Sequence, residues 1–372
     1  MSTLPRRPRR LISGARILAL VAILAFIAVF APAVFITVKC YGDGFQAPMA
    51  RPDAARNIPN YTRNERDAYL ALPTWAIIDT AAEYARFVQQ SPPSHFPYFS
   101  AAAGYWQQYN AACGVTQNAY AFEAGTHMAL GAAGTTFTVG MIVKGLYENS
   151  LGWLTERFSS RDTPEDAFAM HLADEYATFV RTRPWYTFPF ADRLMTLWSD
   201  TPLAGAHLAR KLERRLALTT ELAVSAVHAS VVGLSTVVSA HAAADNDIHV
   251  WVDHVPARAL ADGQYTVVAA AGPEASIVQL PRGETFTPRL LELHAKGARF
   301  VSIGGNDDVV ATTVMRTGDP PPPAPARLLT ARPVLSNAQT SRVTLSIPVS
   351  SLNDVITGVL SRGGTIEHIF DF

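Results

Sequence analysis

A 24-residue stretch occurs twice in this chain, without a gap, at residues 83–106 and 175–198. Both copies read Glu-Tyr-Ala-x-Phe-Val-x-x-x-Pro-x-x-x-Phe-Pro-aromatic, with a Trp eight residues after the aromatic. The shared positions are Glu83/Glu175, Tyr84/Tyr176, Ala85/Ala177, Phe87/Phe179, Val88/Val180, Pro92/Pro184, Phe96/Phe188, Pro97/Pro189 and Trp106/Trp198. Proline lacks the helix donor and clashes with the preceding turn. Each copy is therefore read as a helix stopped at Pro92 or Pro184, a Phe-Pro corner, and a second helix through the Trp. This restricts residues 63–243 to a helical region made of two similar halves.

Three uncharged apolar runs frame that region. The first, residues 17–38, follows Arg6, Arg7, Arg9, Arg10 and Arg16 with no acid before it. As a helix it is about 33 Å long, enough to cross a bilayer core. Residues 1–15 then form a basic cytoplasmic amino terminus and 16–39 a transmembrane anchor. The competing reading is a signal peptide cleaved near Ala31-Pro32-Ala33, but the apolar run continues past that point. Either reading delivers residue 40 onward across the membrane. The second run, 124–143, is headed by Glu123 and carries Gly125, Gly131, Gly134 and Gly140. It suits a helix packed closely on others. The third, 222–240, is headed by Glu221.

If all three runs span, residues 144–215, with ten Lys and Arg, lie in the cytoplasm, and 40–122, with five, lie outside. The two halves then form an inverted repeat. If only the anchor spans, both halves share one compartment. The resulting layout is a linker at 40–62, helical repeat 1 at 63–150, helical repeat 2 at 151–244, and a carboxy-terminal domain at 245–372. Thr163-Pro164-Glu165-Asp166 is a helix start, with Thr as N-cap and Pro at the first turn. The aromatics from Phe96 to Tyr109 suggest a helix lying along the bilayer surface.

From residue 245 the apolar period changes to two. Strands are expected at 248–252, 265–269, 277–280, 299–303, 309–315, 343–347 and 366–370, with helices at 286–296 and 352–360 and a Pro-rich break at 319–325. Two strand–helix–strand units on one sheet suggest a ferredoxin-like α/β sandwich. The expected class is a membrane-anchored α plus α/β protein: a transmembrane helix, a duplicated helical region with two further apolar helices, and that sandwich.

Zero net charge argues against nucleic-acid binding. Cys40 and Cys113 form one disulfide if both lie in an oxidising compartment, and are two unrelated thiols otherwise. Glu123 and His127, like His171 and Glu175, share a helix face at four-residue spacing, yet three crossings would keep the pairs apart, so no metal or cofactor is expected. Gly304-Gly305-Asn306-Asp307 reads as a turn. No nucleotide, phosphate-loop, zinc-protease or hydrolase motif is present. The candidate functional residues are the polar ones in the apolar helices: Glu123, His127, Glu221 and His228. The expected role is a non-enzymatic binding or scaffold protein of the membrane. Its extracytoplasmic α/β domain meets a protein partner or small ligand, with self-association open. The rivals are a small transporter or channel subunit, and a membrane-bound enzyme with a site between helices.

Overall fold

The computed structural model describes residues 53–159, 162–238, 247–255, 265–320 and 324–370, with 19, 23, 27, 31, 34–36, 38–44, 260 and 322. The first half is helical: α1 (Arg66–Gln90), α2 (Tyr98–Ala119), α3 (Ala124–Tyr147), α4 (Trp153–Phe158), α5 (Pro164–Thr182), α6 (Phe190–Asp200) and α7 (Leu208–Val238). One π turn, Glu148–Gly152, joins α3 to α4. Most of the anchor expected at 16–39 lies outside the described residues; 34–36, 38 and 39 are helical.

The two 24-residue stretches take one conformation. Phe96 and Phe188 both have φ −68° and ψ 136°. Pro97 (−81°, 66°) and Pro189 (−79°, 62°) follow. Phe96 stands edge-on to Tyr84 and Phe87 at 5.1 and 5.3 Å. Phe188 stands edge-on to Tyr176 and Phe179, each at 5.2 Å. Such pairs contribute about 0.5–1.5 kcal/mol beyond their burial, so each corner is locked by the rings the sequence repeats. Each Trp then ties down the next long helix: Trp106 Nε1 donates to Thr138 on α3 (2.9 Å) and Trp198 Nε1 to Thr219 on α7 (3.0 Å).

The two halves touch. Ala82 and Ala85 of α1 pack on Ala173 and Ala177 of α5. Gln89, late in α1, donates to the carbonyl of Met170, early in α5 (3.5 Å), so the helices run antiparallel. Arg181 also pairs with Glu284 of the carboxy-terminal domain at 3.5 Å. A bilayer core about 30 Å thick cannot lie between groups in contact. These contacts fit the arrangement in which both halves share one compartment.

The aromatic helix α2 does not lie on a surface. Tyr98, Tyr105 and Tyr109 are buried. Its Tyr105 ring abuts Gly134 of α3, where a Cβ would stand 2.1 Å from the ring; the glycines of this run serve close packing, as their composition implied. On another face of α2, Gln108 Nε2 donates to Thr344 at 3.1 Å. Cys40 is disulfide-bonded to Cys113 of α2, and Phe35 packs on Trp106 and Tyr109.

The second half holds β1 (Asp247–Asp253), β2 (Thr266–Ala270), β3 (Ser276–Pro281), α8 (Phe286–Ala295), β4 (Arg299–Ile303), β5 (Asp308–Arg316), β6 (Arg327–Val334), β7 (Asn337–Pro348), α9 (Leu352–Ser361) and β8 (Thr365–Ile369). The expected strand–helix–strand units are present but do not share one sheet as a ferredoxin-like sandwich requires. Each gains two further strands and builds its own antiparallel sheet, ordered β2-β3-β1-β4 and β6-β7-β5-β8. The two sheets thus repeat one strand order, and each sheet's helix also packs on a strand of the other sheet. Thr287, opening α8, receives a hydrogen bond from the Ile369 amide of β8 (2.8 Å). Asn353, opening α9, receives one from the Phe300 amide of β4 (3.1 Å). One core runs through both sheets and continues into Tyr69, Leu72 and Ala112 of the helical half. The linker reading of 40–62 is corrected in part: Ala55, Ile58 and Tyr61 are buried against Ile277.

Candidate functional site

The four residues singled out from the sequence do not converge. Glu123 stands at the N-cap position of α3 without a side-chain capping bond and pairs with Arg66 at 2.9 Å. Glu221 pairs with Lys144 at 2.8 Å, and the Lys144 ammonium sits 4.4 Å from the centre of the Tyr84 ring. His228 packs on Trp185 at 4.7 Å. His127 alone is buried: Phe122 stacks on it at 4.6 Å, and Tyr109 Oη lies 2.9 Å from Nδ1. His127, on α3, packs on Tyr109 of α2, and His228, on α7, packs on Trp185 before α6, so the two do not come together. The His171–Glu175 pair is also spent, because Glu175 is held by Arg193.

Two buried ion networks were not legible in advance. The first joins α7 to the α3–α5 connection. Arg210, Arg214 and Arg215 occupy one side of α7. Arg210 bonds Asp166 at 2.7 Å, Arg214 grips Glu148 through both terminal nitrogens at 2.9 and 2.6 Å, and Arg215 bonds Glu165 at 2.8 Å. Thr163 sets the acids in place by capping α5 through the Asp166 amide. These arginines counted toward a cytoplasmic fringe in the sequence reading; they are interior ion pairs instead. Burying a charge is tolerable only with a partner and full hydrogen bonding, so the acid-rich 148–166 segment and the basic 210–215 segment require one another.

The second network joins α1 to the β7 face. Arg342 meets Glu83 and Glu367, and also Asp79 at 3.3 Å. Arg332 bonds Asp79 at 3.0 Å. The Leu335 amide donates to Glu83 at 2.7 Å. Three carboxylates thus share two guanidiniums. Burial pushes Asp79 up to about 6, against the opposing pull of Arg342 and Arg332. Burial also works against the Glu367 carboxylate, yet its hydrogen bond to Arg342, with the charges of Arg342, Arg86 and Arg332, holds it below its usual range. The repeated Glu83 was the one signal for this network.

Where α1 ends, the sheet face beyond this network is uncovered. A cleft of about 610 Å³ opens there between Arg86 and Gln90, the β6–β7 turn at Asn337 and Gln339, and Thr340 and Glu367 on the floor. Its lining is mainly amide, hydroxyl and charge, with Val314 and Val334 among them, suited to a polar ligand or an extended polar segment of a partner.

A third feature lies on the outside of α3, α4 and α7. Ala124–Phe158 and Leu208–Gly233 are long and apolar enough to cross a membrane, but only 22% and 17% of their most apolar windows is buried. Met128, Val139, Val143, Leu146, Trp153, Leu154 and Phe158 are exposed on the first, and Leu212, Leu216, Val224, Val227 and Val231 on the second. The second set recurs at helical spacing along roughly 29 Å. The geometry carries the reading by itself, since no protein family, characterised protein or solved structure matches this chain.

Proposed function

We propose that this is a non-enzymatic binding protein seated on a membrane. A single anchor at 16–39 holds it. The exposed apolar faces of α3, α4 and α7 rest against lipid, and the two-sheet domain presents its polar cleft to a protein partner or small polar ligand. The observation that carries this is the apolar face itself. Contiguous exposed patches of this kind mark membrane or protein contact sites. Spanning by α3 is disfavoured, because α2 lies along α3 and bonds a polar sheet, so both would enter lipid with it. The amino-terminal arginines support a cytoplasmic amino terminus. The Cys40–Cys113 bond supports an oxidising, extracytoplasmic setting for the body. The matching conformations of 83–106 and 175–198 support duplication of one helix–corner–helix unit. Convergence of His127, His228, Glu123 and Glu221 on one cavity, which would have favoured the enzyme alternative, is not found among the described residues.

The test is spin labelling of the full chain in bilayers, at positions 143, 216 and 227 and, for contrast, 296 and 339. Labels on the apolar faces are expected to be quenched by lipid-dissolved oxygen and shielded from a water-soluble nickel chelate. Equal exposure of 216 and 339 to the chelate refutes the lipid seat. Shielding from both reagents, with a doubled mass in detergent, assigns the face to a second copy instead.

A further inference from the structure

One cluster is not used by that function. Cys40, Cys113 and His127 come from three separate segments, and one donor atom of each lies within 4.8 Å of the other two. All three are buried. The sulfurs are joined as a disulfide, which leaves unexplained why a buried imidazole packs against it. The ring is held as a metal-ligating histidine is held. Tyr109 Oη lies 2.9 Å from Nδ1, and Phe122 stacks 6° from parallel at 4.6 Å. A partner on one ring nitrogen fixes the orientation and leaves the other, Nε2, as donor.

We propose that when the disulfide is reduced, Cys40, Cys113 and His127 form a three-coordinate site for Cu(I). Two sulfur ligands select soft cations, Cu(I) and Zn(II) among them. Structural zinc takes four ligands, and among the described residues the cluster offers three. Cu(I) is satisfied by two thiolates and an imidazole. The redox step balances with a dithiol as reductant: thiol–disulfide exchange transfers two electrons and two protons to the protein, and the reductant leaves as its own disulfide. Binding Cu(I) then releases the two thiol protons to solvent. The reverse exchange, with a small-molecule disulfide as the two-electron oxidant leaving as its dithiol, removes both thiolates and so expels the metal.

The full chain in detergent, reduced by a dithiol under anaerobic conditions and freed of it, is titrated with Cu(I) against a coloured Cu(I) chelator. One Cu(I) per chain is expected in the reduced form and none in the oxidised form. X-ray absorption is expected to show two sulfurs and one nitrogen. Tyr109→Phe weakens binding about tenfold, and His127→Ala weakens it further, leaving two sulfurs. Equal binding by oxidised and reduced protein overturns the proposal. So does unchanged affinity and coordination in His127→Ala, or displacement of Cu(I) by Zn(II). The oxidised-against-reduced comparison uses the unaltered chain, so it stands even if a variant fails to fold.

Discussion

Replacing Asp79 by Asn tests the network between α1 and the second sheet, because Asp79 is where three carboxylates compete for two guanidiniums. Burial raises this carboxyl from an ordinary 3.8 to about 6, with Arg342 and Arg332 pulling the other way. Between those values the folded protein keeps a proton that the unfolded chain has released. Stability from this group is thus fully present below about pH 4 and is lost as pH rises through about 6. The displacement corresponds to about 3 kcal/mol, and the side chain is only 17% exposed, so solvent screens it little. Asn keeps the shape and can still accept from Arg332, but cannot titrate. Urea unfolding of wild type and Asp79→Asn, followed by tryptophan fluorescence in one detergent at pH 4, 5, 6 and 7, isolates the group by difference. The wild type is expected to lose up to about 3 kcal/mol relative to the variant across that range. Parallel pH curves, or a wild type that gains on the variant as pH rises, refute the reasoning.

The repeated glutamates separate position from sequence. Glu83→Ala leaves the Leu335 amide without its acceptor and Arg342 with only Glu367 and Asp79, and is expected to cost about 2–3 kcal/mol. Its counterpart Glu175→Ala, from a partly exposed pair with Arg193, is expected to cost no more than about 1 kcal/mol; denaturant titration of each reads the contrast. Opening the Cys40–Cys113 bond releases a link between residues 73 apart in sequence. It is expected to lower stability by about 4 kcal/mol in the chain-entropy account, measured as the urea midpoint with and without a dithiol. Phe96→Ala and Phe188→Ala remove equivalent corner rings and are each expected to cost about 3–5 kcal/mol, seen as similar falls in melting temperature.

Much of the local structure was legible because its causes are local. Pro92 and Pro184 end α1 and α5 near where their missing donors require. Thr163 caps α5 as its hydroxyl and the following Pro implied. Seven strands and both helices of the second half appear near their expected places, since alternation and periodicity report burial of one face. The strand that escaped, β6, lies at a sheet edge and contains Pro333, so it carries neither alternation nor an uninterrupted run. The candidate site was poorly legible. His127 was named for being polar in an apolar run, and it is buried against the disulfide. Its companion His228 was named on the same ground and packs on Trp185 at a different place.

The repeat with which the chain is marked determined, without any tertiary information, two helix–corner–helix units, because Pro, Phe and Trp act within a few residues of one another. Composition likewise determined that two helices would carry long apolar faces. Only the tertiary structure decided that the two units lie against each other, that those faces point outward, and that Cys40 meets Cys113. It also decided that Arg342 is neutralised by Glu83, 259 residues away, and Arg210 by Asp166, 44 away. The physical reason is range. Helix stops and ring stacking are set by neighbours in the chain, whereas a charge is made tolerable by whatever the fold brings beside it, and spacing along a sequence holds no record of that.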